Sequence, residues 1–127
     1  METENELELE YLYTVGGYVT FRVRVRSGAF SGEGSFCLPR QQLRACAGQL
    51  AHCLQSLSGA CAVQDTDSDD FLRIEMEKYG HASVSGKVGG CFTDQYLVFR
   101  LRTDQTEVRR IADTLAAFAG KEDGGQA

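Results

Sequence analysis

The strongest constraint in the chain is a two-residue period. From Glu6 to Arg26 apolar and polar residues alternate, ELELEYLYT and then YVTFRVRVR, with VGG between the two runs. Successive side chains on a strand point to opposite faces, so the pattern is that of two half-buried strands joined as a hairpin. The register is the one that gathers the apolar residues on a single face. A two-residue Gly16-Gly17 turn sets Glu10 opposite Val23 and Leu12 opposite Phe21, mixing the faces, so that register is rejected. A three-residue loop, Val15 to Gly17, instead sets Leu7 against Val25, Leu9 against Val23, Tyr11 against Phe21 and Tyr13 against Val19. The opposite face then pairs Glu6 with Arg26, Glu8 with Arg24 and Glu10 with Arg22, each rung contributing about 0.3 kcal/mol. Gly17 suits the left-handed position of such a loop.

A Ser27-Gly28 turn leads into AFSGEGSFCL and puts Phe30, Gly32, Gly34 and Phe36 on the same core face, with Arg22 meeting Glu33 outside. The RVRVR run is thereby a solvated face neutralised rung by rung rather than a phosphate site. Gly32 and Gly34 leave a depression suited to a packed helix. That helix follows. Pro39 fits a first turn, and Leu43, Cys46, Leu50, Cys53 and Leu57 recur at three and four residues as one apolar stripe.

The second half repeats the plan. A short ACAV segment precedes DFLRIEME and HASVSGKV, joined by Lys78-Tyr79-Gly80, which sets Met76 opposite Ala82, Ile74 opposite Val84 and Leu72 opposite Gly86. GGCFTDQ connects to YLVFRLR, where Leu97, Phe99 and Leu101 alternate with Tyr96, Arg100 and Arg102. Thr103 or Asp104 caps a last helix whose stripe is Val108, Ile111, Leu115 and Phe118, with Glu107 in a capping-box position and Gly120 at the stop. Strands and helices in blocks predict an α+β fold of order βββ-α-βββ(β)-α: a mainly antiparallel sheet of about six to seven strands with two helices on one face. A chain of 127 residues fits one such domain, expected over residues 1–120, and KEDGGQA at 121–127 is expected to fray.

Candidate chemistry centres on QDTDSDDF, where Asp65, Asp67 and Asp69 alternate and Asp70 follows. An EF-hand loop beginning at Asp65 requires Gly at its sixth position and Glu at its twelfth, between helices; here Asp70 and Met76 stand there, between strands. The four aspartates are better read as a solvent-exposed acidic loop, a docking point for a basic partner, with a looser calcium or ligand site as the alternative. Neither Cys53 nor Cys46 shares a helical face with His52, which removes them as nucleophile and base pairs. His81 at the head of a strand would need Cys91 or an acid brought to it by the fold. No nucleotide, metallopeptidase or hydrolase motif is present, so no enzymatic activity, cofactor or metal is expected.

Thirteen basic residues against eighteen acidic ones disfavour nucleic acid as a partner, since gripping phosphates needs clustered cations. METENELELE carries acids where a leader carries cations, and no run approaches the ~20 apolar residues of a membrane span, so a cytoplasmic protein is expected. Five cysteines without a CxxC pair argue against a disulfide framework or a zinc site. Cys46 and Cys53, seven apart on one helix, are separated by a rise of ~10 Å, beyond disulfide reach, and read as small core residues.

Taken together, FRVRVRSGAFSGEGSFCL, GHASVSGKV and LVFRLRTDQTEVRRIADTLAAF resemble small bacterial proteins, over roughly residues 8 to 118. These include the immunity proteins encoded beside wall-associated polymorphic toxins and a similar family with no assigned function. The resemblance implies a non-enzymatic protein that binds and neutralises a toxin domain, often a nuclease, in the cytosol of the producing cell. An acidic chain complements a basic nuclease surface.

Overall fold

The alternating runs form strands, as their period requires, but in two antiparallel sheets rather than one. The computed structural model describes residues 5–89 and 95–124. Strands β1 (Asn5–Val15), β2 (Tyr18–Ser27) and β3 (Phe30–Pro39) make a three-stranded sheet in chain order. Helix α1 (Arg40–Ser56) follows, then β4 (Ala60–Gln64), β5 (Phe71–Met76), β6 (His81–Val88) and β7 (Leu97–Asp104) in a four-stranded sheet, and finally α2 (Gln105–Ala119). The α+β class and the element order are as the sequence predicts. Both sheets turn their apolar faces to one core, which the two helices, packed on each other, complete.

The first hairpin reconciles the two registers weighed from sequence. Leu7, Leu9 and Tyr11 pair with Val25, Val23 and Phe21 as expected, and the turn is nevertheless Gly16-Gly17, both at positive φ. A bulge makes this possible. Leu12 is left without a partner, and beyond it Tyr13 faces Thr20 and Thr14 faces Val19. The extra residue exchanges the faces, so Tyr13, expected in the core, is exposed and Thr14 is buried in its place. The Thr14 hydroxyl is satisfied by the Tyr11 hydroxyl at 2.6 Å.

The second turn also differs. Gly28, at φ +62°, and Ala29 form it, so Val25 meets Gly32, Phe21 meets Phe36, Val19 meets Leu38, and Arg24 rather than Arg22 stands opposite Glu33. A slip of two residues preserves the faces and changes which residues reach the core: Leu38 is fully buried and Phe30 lies outside it. The outer ladder is present, with Arg26 on Glu6 at 3.0 Å, Arg24 on Glu8 at 3.7 Å and Arg22 on Glu10 at 3.1 Å. Gly32 and Gly34 receive no helix. A methyl group at Gly32 would stand 3.0 Å from Leu97 Cβ, and one at Gly34 would stand 2.9 Å from Gly89 N, so these glycines admit the β6 and β7 ends of the second sheet.

Helix α1 buries Leu43, Cys46, Leu50 and Cys53 as the stripe predicts, together with Ala47 and Leu54. Leu57 leaves the stripe. It takes the left-handed C-cap conformation, φ +53°, and is exposed, because the helix ends one residue before it. In α2 the Asp104 carboxylate accepts the Glu107 N–H at 3.1 Å and the stripe is buried as expected, Phe118 meeting the rings of Tyr11 and Phe21. The β5–β6 register agrees residue for residue with the expected one. Of the segment expected to fray, residues 121–124 are tied down: Asp123 accepts the Gly17 N–H at 3.0 Å, and the Gly124 N–H reaches Thr14 O at 2.7 Å. Residues 125–127 lie outside the described residues. Among the described residues no helix is long and apolar enough to cross a membrane.

Candidate binding surface

The acidic loop at 65–70 joins β4 to β5, and the fold divides its four aspartates into two pairs. Asp65 and Asp70 are 5% and 2% exposed, against the expectation of a wholly solvated loop. Asp65 Oδ1 accepts the Cys37 N–H from β3 at 2.8 Å, and its Oδ2 accepts the Ser68 hydroxyl at 2.6 Å. Asp70 Oδ2 accepts the Gly89 N–H at the end of β6 at 2.9 Å. The Thr66 N–H adds a bond to Cys37 O at 3.0 Å, so the loop zips the edge of β3 to the second sheet. A buried carboxylate survives where it meets backbone donors, which is the situation of both residues.

Asp67 and Asp69 remain exposed at the loop tip. The Lys87 ammonium donates to Asp69 Oδ2 at 2.8 Å, and that bond holds the Asp69 carboxyl below the usual carboxylate range while raising Lys87. With Asp65 and Asp70 committed to backbone groups, the loop has two outward carboxylates rather than four. Among the described residues no three His, Cys, Asp or Glu side chains converge to hold a metal ion.

Lys87 also lies over the ring of Tyr96, 4.5 Å from its centroid, which makes the acidic tip continuous with an apolar patch. Phe30, Tyr96 and Val98 are 69%, 58% and 67% exposed. Two shallow hollows flank them. One, of about 450 Å³, runs from Phe30 and Glu33 to Val88, Tyr96 and Leu97, and the other, of about 380 Å³, from Ser27 and Phe30 to Val98 and Arg100. Phe30 opens β3, Tyr96 immediately precedes β7 and Val98 lies on its outer side, so residues far apart in sequence share one surface. Sequence reading placed Phe30 in the core and left Tyr96 as a strand residue. Phe30 is exposed by the Gly28-Ala29 turn, which carries it past the last buried rung, whereas Tyr96 follows the alternation that sets it on the face away from Leu97 and Phe99.

A second hollow region lies on the opposite flank. Asn5 to Glu8 of β1, Leu101 to Asp104 of β7, and Glu107 and Arg110 of α2 bound a polar cleft of about 580 Å³. Arg110 spans it, donating to Leu7 O at 2.9 Å and to Glu107. Its guanidinium is held further protonated mainly by Glu107. His81 is exposed at the head of β6, opposite Asp104 in register, and the Asp104 carboxylate is occupied by its helix cap. Its other suggested partner, Cys91, lies outside the described residues.

No known protein family model, curated protein or solved structure matches the chain.

Proposed function

We propose that the chain is a non-enzymatic binding protein of the immunity type, which neutralises a basic toxin domain in the cytosol by occupying its surface. The observation that carries this reading is the exposed Phe30, Tyr96 and Val98 cluster beside the acidic tip of Asp67 and Asp69. Single exposed apolar side chains are ordinary, but large ones clustered on adjoining elements mark contact surfaces. An aromatic centre rimmed by charge is the usual anatomy of a protein interface, and the centre supplies most of the binding energy. The rim and the net charge of −5 select a basic partner by steering its approach. A toxin nuclease, the partner class implied by the sequence resemblance, has that basic character.

Co-expression with a candidate basic toxin domain tests the reading. Growth is expected to be rescued, and the two chains are expected to co-elute stoichiometrically at physiological salt. Tyr96→Ala is expected to weaken the complex roughly tenfold or more, through faster dissociation. The double reversal Asp67→Lys with Asp69→Lys is expected to slow association and flatten its salt dependence. The absence of both complex and rescue would refute the function. A complex indifferent to all these substitutions would refute the surface.

A further inference from the structure

Three buried cysteines line the contact of α1 with the second sheet, and two of them meet. Cys46 on α1 and Cys61 on β4 are fifteen residues apart in the chain, and each is almost fully buried. The Cys61 thiol donates to Cys46 O at 3.6 Å, and the Cys46 thiol donates to Ala62 O at 3.5 Å. Cys61 Sγ also lies 3.9 Å from Ala62 O, so both sulfurs crowd the same carbonyl. The sequence excluded a disulfide for Cys46 with Cys53 on grounds of helical rise. That argument does not touch Cys46 with Cys61, which the return of the chain from α1 into β4 brings together.

We propose that Cys46 and Cys61 are a redox couple, which a hydroperoxide converts to a disulfide stapling α1 to β4. The Cys46 thiol gives up its proton, its sulfur attacks the terminal peroxide oxygen, an S–O bond forms, the O–O bond breaks, and the alkoxide or hydroxide that leaves takes up the released proton. The Cys61 sulfur then attacks the Cys46 sulfenic acid, forming the S–S bond and breaking S–O. The departing hydroxide takes the Cys61 proton and leaves as water. Two thiols lose two electrons and two protons, and one peroxide is reduced to an alcohol, or to water, plus a second water. Their roles follow from what surrounds each thiol. The Cys61 side chain holds the Cys46 thiol below the ordinary cysteine value in spite of burial, and the Cys46 side chain together with burial pushes Cys61 well above it. Cys46 is therefore the attacking sulfur and Cys61 the resolving one.

The proposal is independent of the toxin-binding reading, since it concerns the buried side of α1 and is read on the isolated chain. Folded, reduced protein is treated with hydrogen peroxide, quenched by alkylation under denaturing conditions and mapped by mass spectrometry. Expected are a cross-linked peptide pair joining Cys46 to Cys61, loss of two hydrogens, reversal by dithiothreitol, and a melting temperature raised by about 5–10 °C. Cys61→Ser is expected to halt the reaction at the Cys46 sulfenic acid, captured by a dimedone-type reagent. Recovery of Cys46 and Cys61 as alkylated thiols under peroxide that oxidises Cys37 would overturn the proposal. So would a disulfide that links either of them to a different cysteine. The wild-type mapping decides even if the variant does not fold.

Discussion

The two flanks on which the sheets approach each other are built in opposite ways. On the β3 flank, Asp65 and Asp70 present buried carboxylates to backbone N–H groups of Cys37 and Gly89, and Gly34 lets the backbones of β3 and β6 come close. On the β1 flank a polar cleft stays open, crossed by the half-exposed side chain of Arg110. The first is a seam of short bonds to buried carboxylates, in which each partner leaves an unsatisfied group behind if the other is removed. The second is a solvated brace whose loss lets water take its place. Acidic residues thus build the tighter seam of an acidic protein, and the charge that looks like a recognition loop in the sequence is half structural.

That contrast can be broken most severely at Asp65. Replacing it with Ala removes the acceptor for the Cys37 N–H and for the Ser68 hydroxyl, and urea denaturation is expected to show a loss of about 3 kcal/mol. Asp65→Asn, which keeps one acceptor oxygen, is expected to lose less. A loss under about 0.5 kcal/mol in the Ala variant would mean that the seam does not depend on the Asp65 carboxylate. Next comes Gly34→Ala, whose added methyl group must displace Gly89 N and, at 3.1 Å, Asp70 Oδ2. About 2 kcal/mol of stability is expected to go, because backbone and not a flexible side chain must yield. The smallest effect belongs to the open flank. Arg110→Met is expected to cost about 0.5–1 kcal/mol, diminishing in high salt, and an Arg110 loss equal to that at Asp65 would erase the distinction between the flanks.

The legibility of the two regions follows the same division. The Glu and Arg ladder of the first sheet and the β5–β6 register were readable because each depends on neighbours across one short turn. The first hairpin defeated a simple reading by combining a tight Gly-Gly turn with a bulge at Leu12, two departures whose effects on face cancel up to Tyr11. In the acidic loop, Ser68 three residues after Asp65 was the one local hint that the carboxylate was occupied, since Asp and Ser side chains readily bond within turns. The donors on Cys37 and Gly89 lie 28 and 19 residues from their carboxylates. Nothing in the local pattern points to them.

By itself, then, the amino-acid order determined the sequence of strands and helices and, outside the stretch beyond the bulge at Leu12, which face each turns inward, because periods of two and of three to four are local geometry. It also determined the charged outer face, whose rungs pair within one hairpin. The tertiary structure alone decided that the strands divide into two sheets, that Leu38 rather than Phe30 enters the core, that two of four aspartates are buried, and that Cys46 meets Cys61. Slipping a strand by two residues leaves every face unchanged, so pattern cannot choose among such registers. Packing chooses, by what each side chain meets across the core, and the same packing leaves Phe30 at the surface.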